Sequence, residues 1–165
     1  SYCEDITDAG IKNMLENLQG LTHLNLNCCS KVGIETIRTI SQYNDQLEDL
    51  NLMGLDTTAT EDTIKNMISR LQNLKSLGLF NFKNIGNPIL KTIAEHCRKL
   101  RYLNVDCCSS ISDKGIEVVL RECKYLTSMD LTCTAVTKAY LANVEKEYVY
   151  LFLILRQSYA TSICS

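Results

Sequence analysis

The nine-residue pattern Leu-x-x-Leu-x-Leu-x-x-x recurs five times without gaps and at a nearly fixed interval. The copies are Leu21-Thr-His-Leu-Asn-Leu-Asn-Cys-Cys29, Leu47-Glu-Asp-Leu-Asn-Leu-Met-Gly-Leu55, Leu74-Lys-Ser-Leu-Gly-Leu-Phe-Asn-Phe82, Leu100-Arg-Tyr-Leu-Asn-Val-Asp-Cys-Cys108 and Leu126-Thr-Ser-Met-Asp-Leu-Thr-Cys-Thr134. Their starts lie 26, 27, 26 and 26 residues apart, with Val105 and Met129 as conservative departures. A period of this length is the mark of stacked repeats and restricts the fold more than any composition could.

Within each copy the alternation of apolar and polar residues predicts a short strand with one face buried. Leu24, Leu26, Leu50, Leu52, Leu77, Leu79, Leu103, Val105, Met129 and Leu131 are expected to point inward. A strand this short cannot bury its face alone, so the copies must stack into a parallel sheet. Between copies, apolar residues return at helical spacing. Ile11, Met14, Leu15 and Leu18 form the first such set; Ile34 and Ile37, Ile64 to Leu71, Leu90 to Cys97 and Ile116 to Cys123 follow. Thr7 or Asp8, and Ser112 or Asp113, suit the N-caps of the first and fifth helices. Strand, loop, helix and return in one period give an α/β leucine-rich-repeat solenoid, right-handed by the general rule for such crossovers, with a concave parallel sheet and convex helices. The whole chain, 1–165, is expected to be one domain. It comprises a partial repeat 1–20, repeats starting near 21, 47, 74, 100 and 126, and an irregular cap over 148–165.

The stretch Cys97-Arg-Lys-Leu100-Arg-Tyr-Leu103-Asn-Val105-Asp-Cys-Cys108-Ser-Ser-Ile111-Ser-Asp113-Lys-Gly115-Ile116, echoed by Ile6-Thr-Asp-Ala-Gly-Ile11, resembles the cysteine-containing leucine-rich repeat. That repeat is typical of F-box and leucine-rich-repeat proteins, the substrate receptors of cullin-type ubiquitin ligases. The resemblance covers roughly residues 1 to 140. It implies a protein-binding module that catalyses nothing itself and presents a target for modification. No F-box pattern is visible in these residues. A fragment, a truncated product or a stand-alone repeat protein would each fit.

Composition excludes several classes. With 45 % apolar and 22 % charged residues the chain is a globular sequence, and its net charge of −2 argues against nucleic acid as a partner. No membrane association is expected: the longest apolar run, Tyr148 to Leu155, is far short of the roughly 20 residues of a spanning helix. No secretory signal is visible either. The nine cysteines are therefore read as free thiols in a reducing compartment, cytoplasmic or nuclear. Cys29 and Cys108, at the ninth motif position, should enter the core, with Cys3 as their counterpart in the partial repeat. Cys97 and Cys123 should lie on the inner side of helix ends. Cys28, Cys107 and Cys133, at the eighth position, should be more exposed. No Cys-x-x-Cys exists, so neither a metal nor any other cofactor is expected.

Alternation assigns the third, fifth and seventh motif positions to the concave surface. The candidate protein-binding residues are His23, Asn25, Asp49, Asn51, Met53, Phe80, Tyr102, Asn104, Asp106 and Asp130. Asn27, Ser76, Gly78, Ser128 and Thr132 share their columns. Phe80, Tyr102 and neighbouring Met53 are singled out, because apolar groups aimed at solvent dominate interface energies once covered. Neither His23 nor His96 has the partners a catalytic triad needs, so no enzymatic activity is expected. Tyr150-x-x-Leu153-x-Leu155 fits a degenerate sixth strand, and residues 156–165 match nothing. Both solenoid ends read as uncapped, which would allow a homodimer through them. Two other functions fit: a scaffold or inhibitor unrelated to ubiquitin, and a thiol redox or metal-binding protein using Cys28, Cys107 and Cys133.

Overall fold

The computed structural model describes residues 5–55, 59–148 and 150–154. Cys3, Leu155 and the tail 156–165 lie outside the described residues. Helices and strands alternate throughout: α1 (Asp8–Asn17), β1 (His23–Asn25), α2 (Ile34–Tyr43), β2 (Asp49–Asn51), α3 (Glu61–Arg70), β3 (Ser76–Gly78), α4 (Asn87–His96), β4 (Tyr102–Asn104), α5 (Asp113–Glu122), β5 (Ser128–Asp130), α6 (Lys138–Glu147) and β6 (Phe152–Ile154). The strands form one parallel sheet in the order β1-β2-β3-β4-β5-β6. Each pairs with the next at the same motif position: His23 with Asp49, Asp49 with Ser76, Ser76 with Tyr102, Tyr102 with Ser128, and Ser128 with Phe152. The architecture is the leucine-rich-repeat solenoid, and β6 takes the register that Tyr150-x-x-Leu153 prescribes.

One continuous core runs between sheet and helices. Leu50, Leu77, Leu103 and Met129 are fully buried beneath the strands, opposite Ile37, Ile64, Met67, Ile93 and Ile116 from the helices. Leu24 at the edge is nearly so. Leu18 departs from the expected helical face: it is 49 % exposed. It occupies the C-cap of α1; the equivalent C-caps Asn44, Leu71, Cys97 and Cys123 are buried, and Asn44, Cys97 and Cys123 bond to the preceding repeat, whereas no helix precedes α1 among the described residues.

Three columns of side chains bind each repeat to the one before it. At the starts of α1, α3, α4 and α5, the residue at the first helical position bonds to the start of the following helix. Asp8 Oδ1 accepts hydrogen bonds from the Gly33 and Thr36 amides and from Thr36 Oγ1. Glu61 accepts from the Gly86 amide, and Asn87 from the Ser112 amide. Asp113 accepts from both the amide and the hydroxyl of Thr137, at 2.7 and 2.8 Å. Thr7 and Ser112 are the N-caps proper. At the helix ends, Asn44 Nδ2 donates to the Leu18 carbonyl, Cys97 Sγ to Leu71 and Cys123 Sγ to Cys97. The thiols thus add a second, weaker donor to carbonyls that already accept the amides of Leu74 and Leu100. At the ninth motif position Cys108 Sγ donates to the Leu79 carbonyl at 3.1 Å. Burial pushes the Cys97 and Cys108 thiols up to about 12 and the Cys123 thiol to about 11, so all three remain protonated donors. Asp113→Ala is expected to lower stability by about 1–2 kcal/mol, measured by urea unfolding, because it removes a cap from α6. Asp113→Asn, which keeps an acceptor, should lose less.

Candidate protein-binding face

The strand face opposite the helices carries the candidate residues in three rows across the sheet. The third-position row runs His23, Asp49, Ser76, Tyr102, Ser128. His23 is exposed, with its ring Nδ1 2.9 Å from Thr22 Oγ1. Asp49 and Tyr102 are half-buried.

The fifth-position row is largely occupied by the fold's own bonding. Asn25 Oδ1 accepts from the Asn27 amide, Asn51 Oδ1 from Met53, Asn104 Oδ1 from Asp106, and Asp130 Oδ1 from Thr132. Each turns the chain out of its strand, the local Asx bonding that suits these residues to turns. Asn104 Nδ2 donates to Tyr102 Oη at 3.2 Å and to Asp130 at 3.5 Å. Asn104 and Asp130 are therefore buried, 4 % and 6 % exposed, although alternation alone places them on the surface. They offer a partner almost no area. Asn25 is exposed and Asn51 half-buried.

In the seventh-position row Met53, Phe80 and Asp106 are all half-buried. Met53 leans onto the next strand, since a Cβ on Gly78 would lie 3.1 Å from Met53 Cγ. The apolar groups do not share one row. Tyr102 stands level with Ser76 at the start of β3, whereas Phe80 lies two residues past the end of that strand, in the turn. Met53 and Phe80 thus hold one end of the face and Tyr102 the other.

Beyond Tyr102, where the chain enters the strands, lies a recess of about 320 Å³ lined by Arg101, Lys124, Tyr125, Leu126, Thr127 and Tyr150. Tyr125 and Tyr150 are 65 % and 61 % exposed. Sequence reasoning passed over them because they fall in turns outside the alternating positions. The signal available was the tyrosine just before, or at the start of, each of the last two strand motifs. Along the same edge Lys75 Nζ meets Glu48 Oε2 at 2.6 Å, and that hydrogen bond holds the Glu48 carboxyl below its ordinary value.

At the other edge, where the chain leaves the strands, the eighth motif position has a fixed backbone demand. Cys28, Asn81, Cys107 and Cys133 have φ of 59°, 61°, 60° and 54°, and Gly54 has 71°. This left-handed conformation costs a residue other than glycine about 1–2 kcal/mol. Gly54 and Asn81 are residues that tolerate it; the three cysteines tolerate it poorly. The Cys107 amide donates to the Thr132 carbonyl at 2.9 Å, which seats Cys107 beside Cys133. Asp106, Cys107 and Cys133 each offer one ligand atom, and these atoms all lie within 4.8 Å of one another. No such group forms at Cys28 among the described residues, because the residue stacked on it is Gly54.

A leucine-rich-repeat family model matches residues 96–120. Over 127 residues the chain is 28 % identical to the F-box/LRR-repeat protein 4 of Bos taurus, covering 75 % of this chain. It spans only 20 % of that relative's length. Among solved structures, the yeast Rad7 and Elc1 complex superposes with a TM-score of 0.75 at 20 % identity, over 96 % of this chain and 43 % of the other. An internalin of Listeria monocytogenes superposes with a TM-score of 0.60 at 18 % identity, over 95 % of this chain and 39 % of the other. These two likenesses concern the fold alone. No helix among the described residues is long and apolar enough to cross a membrane.

Proposed function

We propose that this leucine-rich-repeat chain, whose sequence is similar to an F-box/LRR-repeat protein, is a non-catalytic recognition module that binds another protein on its concave sheet. In this reading it is the substrate-binding part of a ubiquitin-ligase receptor working in a reducing compartment. The observation that carries the reading is the set of partly solvent-facing side chains Met53 and Phe80, just past the ends of β2 and β3, and Tyr102 in β4, along a parallel sheet paired in register. Large apolar groups on fixed backbone dominate protein interfaces, since little conformational entropy is lost when they are covered. The buried, protonated Cys97, Cys108 and Cys123 support a structural use for those thiols rather than a redox one. The tyrosines of the neighbouring recess, between Arg101 and Lys124, would extend the surface toward an acidic segment of the partner.

The test is a quantitative pull-down from reducing cell lysate with the parent chain and a Phe80→Ala/Tyr102→Ala double variant of verified fold. The expected result is a partner held by the parent and reduced at least tenfold in the variant, as truncating two anchors at about 1 kcal/mol or more each requires. Ubiquitin conjugates on that partner would favour the ligase reading over a scaffold. Equal recovery by both chains would remove these two residues from the interface.

A further inference from the structure

We propose that Asp106, Cys107 and Cys133 form a binding site for a thiophilic divalent cation of the zinc class. Metal sites are usually sought as closely spaced cysteines. A solenoid supplies a second kind of neighbour: residues one period apart. Cys107 and Cys133 are 26 residues apart in sequence and occupy the eighth position of successive repeats, on backbone ladders that run side by side. Stacked strands lie about 4.8 Å apart, so equivalent side chains on adjacent repeats meet without any special loop. Their two Sγ atoms and a carboxylate oxygen of Asp106 all fall within 4.8 Å of one another. A tetrahedral ion with bonds of about 2.0–2.3 Å needs its ligands only slightly closer, within reach of small side-chain rotations. Two sulfurs and one oxygen suit a borderline-soft ion. Asp106 and Cys107 are half-buried and Cys133 is exposed, so the site opens to solvent on one side. Three protein ligands leave a fourth position for water or for a donor from outside the chain. Binding releases the two thiol protons to solvent and involves no change of oxidation state, so affinity rises with pH.

The test uses the whole chain, kept reduced by a phosphine. Zn²⁺ is titrated in competition with a chromophoric chelator, and Co²⁺ is used as a spectroscopic substitute. The expected result is one ion per chain with a thiolate-to-cobalt charge-transfer band. Cys133→Ser and Cys107→Ser should each weaken binding by about tenfold or more. Cys28→Ser, at the same motif position but stacked on Gly54, should leave it unchanged. Cys133 is exposed, so its variant remains informative even where Cys107→Ser disturbs the fold. The proposal is overturned by a parent chain that binds no ion, by a cobalt spectrum without thiolate absorption, or by Cys28→Ser weakening binding as much as Cys133→Ser does. A reduced chain that binds no ion but oxidises to a Cys107–Cys133 disulfide overturns it equally.

Discussion

Gly115→Ala is expected to destabilise the protein by about 2–3 kcal/mol, the upper range for forcing a methyl group into a packed interface. Gly10→Ala, at the same motif position, is expected to be neutral or to stabilise by up to about 1 kcal/mol. Both glycines sit at the third residue of a helix, α5 and α1 respectively. Alanine favours the helix at each site. The difference lies in what stands opposite. A Cβ on Gly115 would lie 2.4 Å from Asn87 Oδ1 and 2.7 Å from Leu90 Cδ1. Asn87 cannot easily yield, since its side chain bonds to both the amide and the hydroxyl of Ser112. Among the described residues a Cβ on Gly10 would meet only Thr7 Oγ1, at 3.9 Å. Urea unfolding of both variants checks the pair. Equal effects would show that close helix approach is not what Gly115 provides.

Leu77→Ala should cost still more, about 3–5 kcal/mol by the usual scale for a leucine emptied from a sealed core. Leu77 has no exposed surface and lies in β3, bonded to β2 on one side and β4 on the other. Leu24→Ala removes the same group from β1, which among the described residues pairs with β2 alone, and should cost less. In a stacked array each repeat is supported by its two neighbours. A cavity in the middle weakens two interfaces, whereas one at the edge weakens a single interface. Leu77→Ala should therefore also broaden the unfolding transition as the two halves uncouple. Chemical denaturation followed by circular dichroism reads both the midpoint and the breadth.

The strands were the most legible part of the sequence. Leu24, Leu50, Leu77, Leu103 and Met129 identify the buried side of each strand, because a two-residue alternation leaves little choice of face. What was not legible was lateral. Asp8 and Asp113 read along the chain as caps for their own helices; the structure gives them the next helix, one period away. Cys28, Cys107 and Cys133 read as one exposed column, with no metal expected because the spacing rule for ligands assumes a tight loop; the structure pairs Cys107 with Cys133 and leaves Cys28 beside Gly54. Asn104 and Asp130 read as surface, yet their polar atoms bond along the strand and across to the next one, and that buries them. In each case the missing information was which residue of the neighbouring repeat lies alongside. The period itself contains that information once the copies are written in columns.

Column reading also separates two uses of cysteine. At the helix ends and at the ninth motif position the thiol is a small apolar group with a weak donor aimed at a carbonyl, as with Cys97 and Cys108. At the eighth position the backbone asks for glycine, and Cys28, Cys107 and Cys133 stand there at positive φ, outside the buried column.

The most direct measurement of recognition by the concave sheet is hydrogen exchange of the chain alone and saturated with the protein recovered by pull-down. The account expects slower exchange in peptides spanning 49–53, 76–80 and 102–106, with the helices unchanged. Slowing confined to α2, α3 or α4, on the convex side, would contradict it.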